Sequence, residues 1–313
     1  MTVRVRERKG NTVQGKTGVR RLITRYPLTS FFTLAFALSW IAWTPYVLGR
    51  NGLGVEPDFS FPEIAGTTQL LGVLPGAYLG PILAAFLVTA AAEGRPGLRR
   101  WAGRLLKWNV NWRWYIGAIL GVPAALILTG VALSGGDVHV PGAAVFVALV
   151  PGLVFQMVTT GLAEEPGWRD FALPYLQPKF GPLRGTLLLG PLWGLWHLPL
   201  FFSEWGHWPD VTVWTIVEFV ATTTLFSILM TWVFNRSGQS LPIAMLVHTG
   251  VNNTISVAWA DVFPNADAND VALVFLAASG IAAAVVLIAT RGRLGYRSET
   301  VTPPTRTTTR AGG

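Results

Sequence analysis

The chain has 313 residues, 51% of them apolar and only 13% charged, with a formal net charge of +8 and no cysteine; its mean hydropathy is +0.45. A soluble protein carries about 25% charged residues, so the composition excludes an ordinary water-soluble fold and points to an all-α, polytopic membrane bundle. The missing cysteines exclude disulfides, thiolate catalysis and Cys-ligated zinc. The basic residues flank apolar runs, which assigns the positive charge to membrane lipids and not to nucleic acid.

In chain order, residues 1–27 read as a basic cytoplasmic tail. No cleavable leader is expected, because the first apolar run, Pro27 to Leu48, is long enough to stay as an anchor. Apolar segments follow at 28–48, 68–92, 114–134, 142–165, 184–203, 212–234, 241–260 and 271–290. Each reaches the roughly 20 residues that a span requires. These make about eight transmembrane helices in one bundle over 28–292, with both termini on the same side. The stretch Arg95–Trp114 alternates basic and aromatic residues and reads as an amphipathic helix along the inner surface. Residues 293–313, rich in Thr, Pro, Gly and Arg, read as a disordered tail. No internal repeat is evident.

Charge supports this map independently of hydropathy. With the N-terminus inside, every Lys and Arg except Arg50 falls in an inner segment, while Glu56, Asp58, Glu63, Asp137, Glu204, Asp210, Asp261, Asp267 and Asp270 fall in outer loops. That is the positive-inside pattern, and it gives an N-in, C-in topology. Most tryptophans sit near span ends as an interfacial belt, among them Trp43, Trp101 and Trp205; Trp193 and Trp196 lie mid-span.

Three polar clusters interrupt the apolar spans. An ionisable group at that depth costs at least ~2.5 kcal/mol, so each calls for a partner or a task. The end of the fourth span and its exit read GLAEEPGWRDFALPYL. Adjacent helical residues point about 100° apart, so Glu164 and Glu165 serve different faces. Glu165 and Arg169 have the favoured i,i+4 order for an ion pair, which leaves Glu164 to face a cavity. A structural salt bridge closing the span explains the same residues, and Pro166 weakens the ideal geometry.

The fifth span, GPLWGLWHLPLFF, carries His197 beside Pro199, which bends the helix and loosens its hydrogen bonds. The imidazole suits a proton acceptor, a metal ligand or an interhelical hydrogen bond. Trp193, one turn earlier, walls that side. The seventh span, LPIAMLVHTGVNNT, sets His248 and Asn252 on one helical face, where they suit an oxyanion site or a polar seam between helices. Asn253 faces elsewhere. Glu218, within the sixth span, reads first as a buried structural acid, and His139 and His207 as solvated loop residues. No HExxH, GxSxG, Walker A or GxGxxG context occurs.

Taken in order, EEPGWR, WGLWH and HTGVN resemble the signature of the CPBP family, which comprises type II CAAX prenyl proteases, bacteriocin-processing enzymes and Abi proteins. The pattern EExxxR, FxxxH, HxxxN falls on Glu164, Glu165 and Arg169, on Trp193 and His197, and on His248 and Asn252. Trp193 replaces the usual Phe, a change read as one of pocket volume more than chemistry. The resemblance covers about residues 150–256.

The resemblance implies an intramembrane endopeptidase acting on a membrane-associated protein or peptide. Glu164 with His197 would activate water, and His248 with Asn252 would hold the oxyanion; Glu165, Arg169 and Trp193 would support them. Glu164, His197 and His248 would hold a divalent ion such as zinc with an open water position, and a metal-free site fits the same residues; the resemblance is read as one to an intramembrane metalloprotease. The implied setting is a multi-pass protein of a bacterial cell membrane, with bacteriocin-like precursors or other membrane peptides as substrates. The competing classes are a non-enzymatic immunity or abortive-infection protein and a proton-coupled transporter relaying through Glu164, His197 and Glu218. Because the carboxylates fall at the inner end of their span, the cavity is expected to open to the cytoplasm.

Overall fold

A computed structural model describes residues 18–297 apart from residue 65; the expected tails before residue 18 and from residue 298 lie outside the described residues. In an apolar medium a helix is the open-ended form that satisfies its own backbone N–H and C=O groups. Among the described residues the regular elements are all helical, with no strand.

The first helix, α1 (Gly18–Arg25), is short and basic and leads into α2 (Pro27–Leu48). Then come α3 (Gln69–Ala92), α4 (Gly94–Leu105), α5 (Arg113–Leu133) and α6 (Ala143–Phe180). The helix α7 (Pro182–Trp196) continues as a 3₁₀ turn, Leu198–Phe202, and is followed by α8 (Val213–Arg236). The helix α9 (Leu241–Asn253) continues through a wide turn to Val262, and α10 (Ala268–Thr290) completes the bundle.

Among the described residues, seven helices are long and apolar enough to cross a membrane: α2, α3, α5, α6, α7 with its turn, α8 and α10. The expected eighth span, 241–260, is present as α9 and its continuation but is not one of the seven. The reason is its place in the bundle. All residues from Leu241 to Val251 are buried by neighbouring helices, so α9 needs no lipid-facing apolar surface and tolerates His248, Thr249, Asn252 and Asn253.

Two expected boundaries are corrected. The fourth span does not end at residue 165: α6 runs on through Pro166-Gly167 for 38 residues, about 57 Å at 1.5 Å per residue. Wide π-type turns at Met157–Gly161 and Trp168–Ala172 bracket the carboxylates, and they absorb the hydrogen bond that Pro166 cannot donate. The carbonyl of Pro166 accepts from the Trp101 indole at 3.0 Å, which ties α4 to α6 at this point. Gly167 makes this crossing possible, since a Cβ there would lie 2.5 Å from Pro81 of α3. The expected amphipathic helix over 95–114 ends as α4 at Leu105, and α5 begins only at Arg113.

The halves of α6 differ in surroundings. From Ala143 to Thr160 only Val145 is buried, as suits a lipid-facing helix, whereas every residue from Ala163 to Leu173 is buried. At the basic end of the bundle Arg104 of α4 pairs with the buried Asp170, and Lys107 with the Gly238 carbonyl. At the opposite end Glu204 accepts from Asn51 at 3.1 Å and from Thr68 at 2.8 Å, tying two connecting segments together.

Candidate active site

The site forms where α6, α7, α8 and α9 meet, and each expected residue reaches it from a different constraint. The 100° step along α6 sends Glu164 to a cavity of about 690 Å³ and Glu165 towards α9. Glu164, Trp193, His197, His248 and Asn252 all line that cavity. Glu165 and Arg169 lie behind it, fully buried.

Glu165 bridges two cations or potential cations. Its Oε1 accepts from His248 Nδ1 at 2.8 Å, and its Oε2 lies 3.4 Å from Arg169 Nε. A buried guanidinium is costly without partners. Arg169 also lies 4.2 Å from the centre of the Trp193 ring, a cation–π contact, and 3.4 Å from Ser227 Oγ of α8. Arg169 therefore fixes Glu165, and Glu165 fixes the His248 ring.

The tautomers follow from the same contacts. The Trp193 carbonyl can only accept, so His197 donates through Nδ1 at 3.0 Å and turns a bare Nε2 towards the cavity. With Nδ1 of His248 donating to Glu165, its Nε2 also faces the cavity. His197 is clamped between aromatic rings: Trp205 stacks on it at 5.4 Å and 14°, while Trp196 and Phe219 meet it edge-on. The helix does not merely bend at Pro199. It ends at Trp196, and His197 occupies the cap before the 3₁₀ turn.

Asn252 lies one turn beyond His248 with its amide at the cavity, half-buried. Asn253, expected to face elsewhere, also lines the cavity, while its amide nitrogen donates to the Leu149 carbonyl at 2.9 Å and stitches α9 to α6. Glu218 is half-buried outside the cavity lining, so the structure does not join it to Glu164 and His197. Trp205, Ser227 and Asp170 join the site or a buried pair without a motif that marks them. Trp205 reads in sequence as an interfacial belt residue, and the other two carry no motif.

The three residues expected as metal ligands are held apart by different partners. Among the described residues no three His, Asp or Glu side chains are grouped to hold an ion. Glu164 is held by the Trp193 indole at 2.8 Å, His248 by Glu165, and His197 by the Trp193 carbonyl, each drawn towards a separate neighbour.

The cavity also runs in an unexpected direction. From Glu164, Ala77 and Phe226 at its floor it passes between α3, α6 and α9 to Thr67, Gln69, Trp205 and Ser256. Those residues mark the end of the bundle away from the basic segments. The expectation of a mouth on the basic, inner side is thus corrected. It placed Glu164 at a helix end, whereas α6 continues past it and α4 covers the basic end.

Fold and site together define a polytopic helical membrane protein with a polar pocket enclosed by its spans. A family model described as Type II CAAX prenyl endopeptidase Rce1-like matches residues 146–254. The chain is also 22% identical over 237 residues to CAAX prenyl protease 2 of Methanococcus maripaludis, covering 73% of this chain and 83% of that one. The family match contains all seven motif residues, so the resemblance drawn from the three motifs holds.

Proposed function

We propose that the protein is an intramembrane endopeptidase that hydrolyses a peptide bond of a membrane-associated protein or peptide. The observation that carries this reading is the convergence of Glu164, His197, His248 and Asn252 on one cavity. Among the described residues Glu164 Oε1 has no protein partner, so it is free to accept a proton from water. The bare Nε2 of His197 supplies a second acceptor across the same space.

The attacking water oxygen bonds to the scissile carbonyl carbon while its proton passes to Glu164. The developing oxyanion is met by the Asn252 amide and by His248 Nε2–H in the ring's doubly protonated form, with Glu165 opposite the developing charge. Collapse breaks the C–N bond, and Glu164 returns the proton to the leaving amine. No step here is routed through a metal ion; Glu164, His197 and His248 are the residues that would hold one, and it would supply a Lewis acid to the scissile carbonyl.

The apolar walls of the cavity, including Leu70, Val73, Phe155 and Phe275, suit a substrate delivered from the bilayer. We assign the activity to a multi-pass protein of the cell membrane, in contact with lipid. The test is cleavage of a panel of membrane peptides by the purified protein in lipid nanodiscs, with and without a prenylated C-terminal cysteine. Cleavage of either set supports the peptidase, and the preferred set names the substrate class. No cleavage of any peptide overturns the reading.

A further inference from the structure

Trp193 occupies the centre of the site more completely than any of the polar residues. Its indole N–H donates to Glu164 Oε2 at 2.8 Å, and its carbonyl accepts from His197 Nδ1 at 3.0 Å. Its ring lies under the Arg169 guanidinium at 4.2 Å and meets the His248 ring edge-on at 5.2 Å and 85°. One residue thus touches Glu164, His197, the buried arginine and His248. It is itself only 3% exposed, so none of these contacts is a surface accident.

The indole N–H matters most. Glu164 sits on α6 with two equivalent oxygens and rotatable χ angles. A buried donor on one oxygen holds the carboxylate in a single orientation and leaves the other oxygen as the acceptor in the cavity. The Trp193 ring itself is fixed from behind: α7 packs closely on α8 at Gly194, where a Cβ would lie 2.5 Å from Thr223 Oγ1. The ring is further bounded by Phe226 of α8.

We propose that Trp193 is a positioning residue whose indole N–H selects Glu164 Oε1 as the proton acceptor, not merely a wall of the pocket. This rests on the peptidase reading above. It separates two things that a bulky side chain would otherwise confound: filling space and donating a hydrogen bond.

The experiment replaces Trp193 in the full-length protein with benzothienylalanine, which keeps the ring shape and lacks the N–H. A charge-assisted hydrogen bond of this kind is worth about tenfold or more in rate, so kcat falls by that factor while KM stays within about twofold. In parallel, the Trp193 indole ¹⁵N–H resonance, assigned by its loss in Trp193→Phe, moves in Glu164→Gln and stays in place in Glu218→Gln. An isostere with wild-type kcat, or an indole resonance indifferent to Glu164→Gln, overturns the role of Trp193 while leaving the peptidase standing. A wild-type protein without peptidase activity overturns the peptidase and this role together; the resonance then still reports whether the bond exists.

Discussion

Glu165 Oε1 of α6 and His248 Nδ1 of α9 lie 2.8 Å apart, between two buried side chains. The contact joins residues 83 positions apart and decides which nitrogen of His248 meets the cavity. A carboxylate behind an imidazole fixes its tautomer and ring orientation; behind metal-bound histidines loss of such a partner costs about 10–100-fold in activity, and the same scale is taken for this pair. Glu165→Gln is therefore expected to lower kcat within that range in a protein whose helical circular dichroism is unchanged. Unaltered turnover would separate the pair from the chemistry.

Arg169 is the other partner of Glu165, with no exposed surface. Removing one member of a buried ion pair costs about 3–5 kcal/mol, because the remaining charge is left without compensation. Arg169→Met should lower stability by that amount in detergent unfolding, and Glu165→Gln in the same chain should recover part of the loss. A single Arg169→Met variant as stable as the wild type would show that the pair is not what compensates Glu165.

The position of the cavity mouth can be checked directly, since the chain has no cysteine to interfere. Ser256→Cys lies at the mouth and Arg99→Cys on the exposed face of α4. A membrane-impermeant maleimide applied to oriented membranes should reach these two positions from opposite sides. Labelling of both from one side would contradict the direction assigned to the cavity.

Glu164, His197 and His248 share a cavity but each is held by a different neighbour, and they are not grouped to hold an ion. With water activated by Glu164 and His197, peptidase activity is expected to survive exhaustive chelation and dialysis. Activity lost on chelation and restored by stoichiometric zinc would instead require the three side chains to converge on a metal.

Much of this was legible in the sequence because the relevant signals are local. The i,i+4 spacing of Glu165 and Arg169 and the 100° step to Glu164 are helix geometry, and the structure keeps both. The spans from Pro27 to Leu133 follow hydropathy to within a residue or two of their expected bounds. What failed was long-range. Proline chemistry made Pro166 read as a helix end, but two wide turns carry the helix on, and the Trp101 indole of α4 ties the Pro166 carbonyl to the neighbouring helix. That single misreading also displaced the mouth of the cavity. The role of Trp193 escaped for a related reason: its partners Glu164, Arg169 and His248 come from two other helices, and no spacing within α7 reveals them.

The central claim is that Glu164 activates the water that cleaves a peptide bond. The most direct measurement is the initial rate of cleavage of one membrane peptide by purified wild type, Glu164→Ala, His248→Ala and Asn252→Ala proteins at matched folding. General-base catalysis contributes about 10²–10⁴-fold, so Glu164→Ala should lose kcat on that scale, with His248→Ala and Asn252→Ala also well below wild type. A Glu164→Ala protein that cleaves as fast as the wild type would contradict the account.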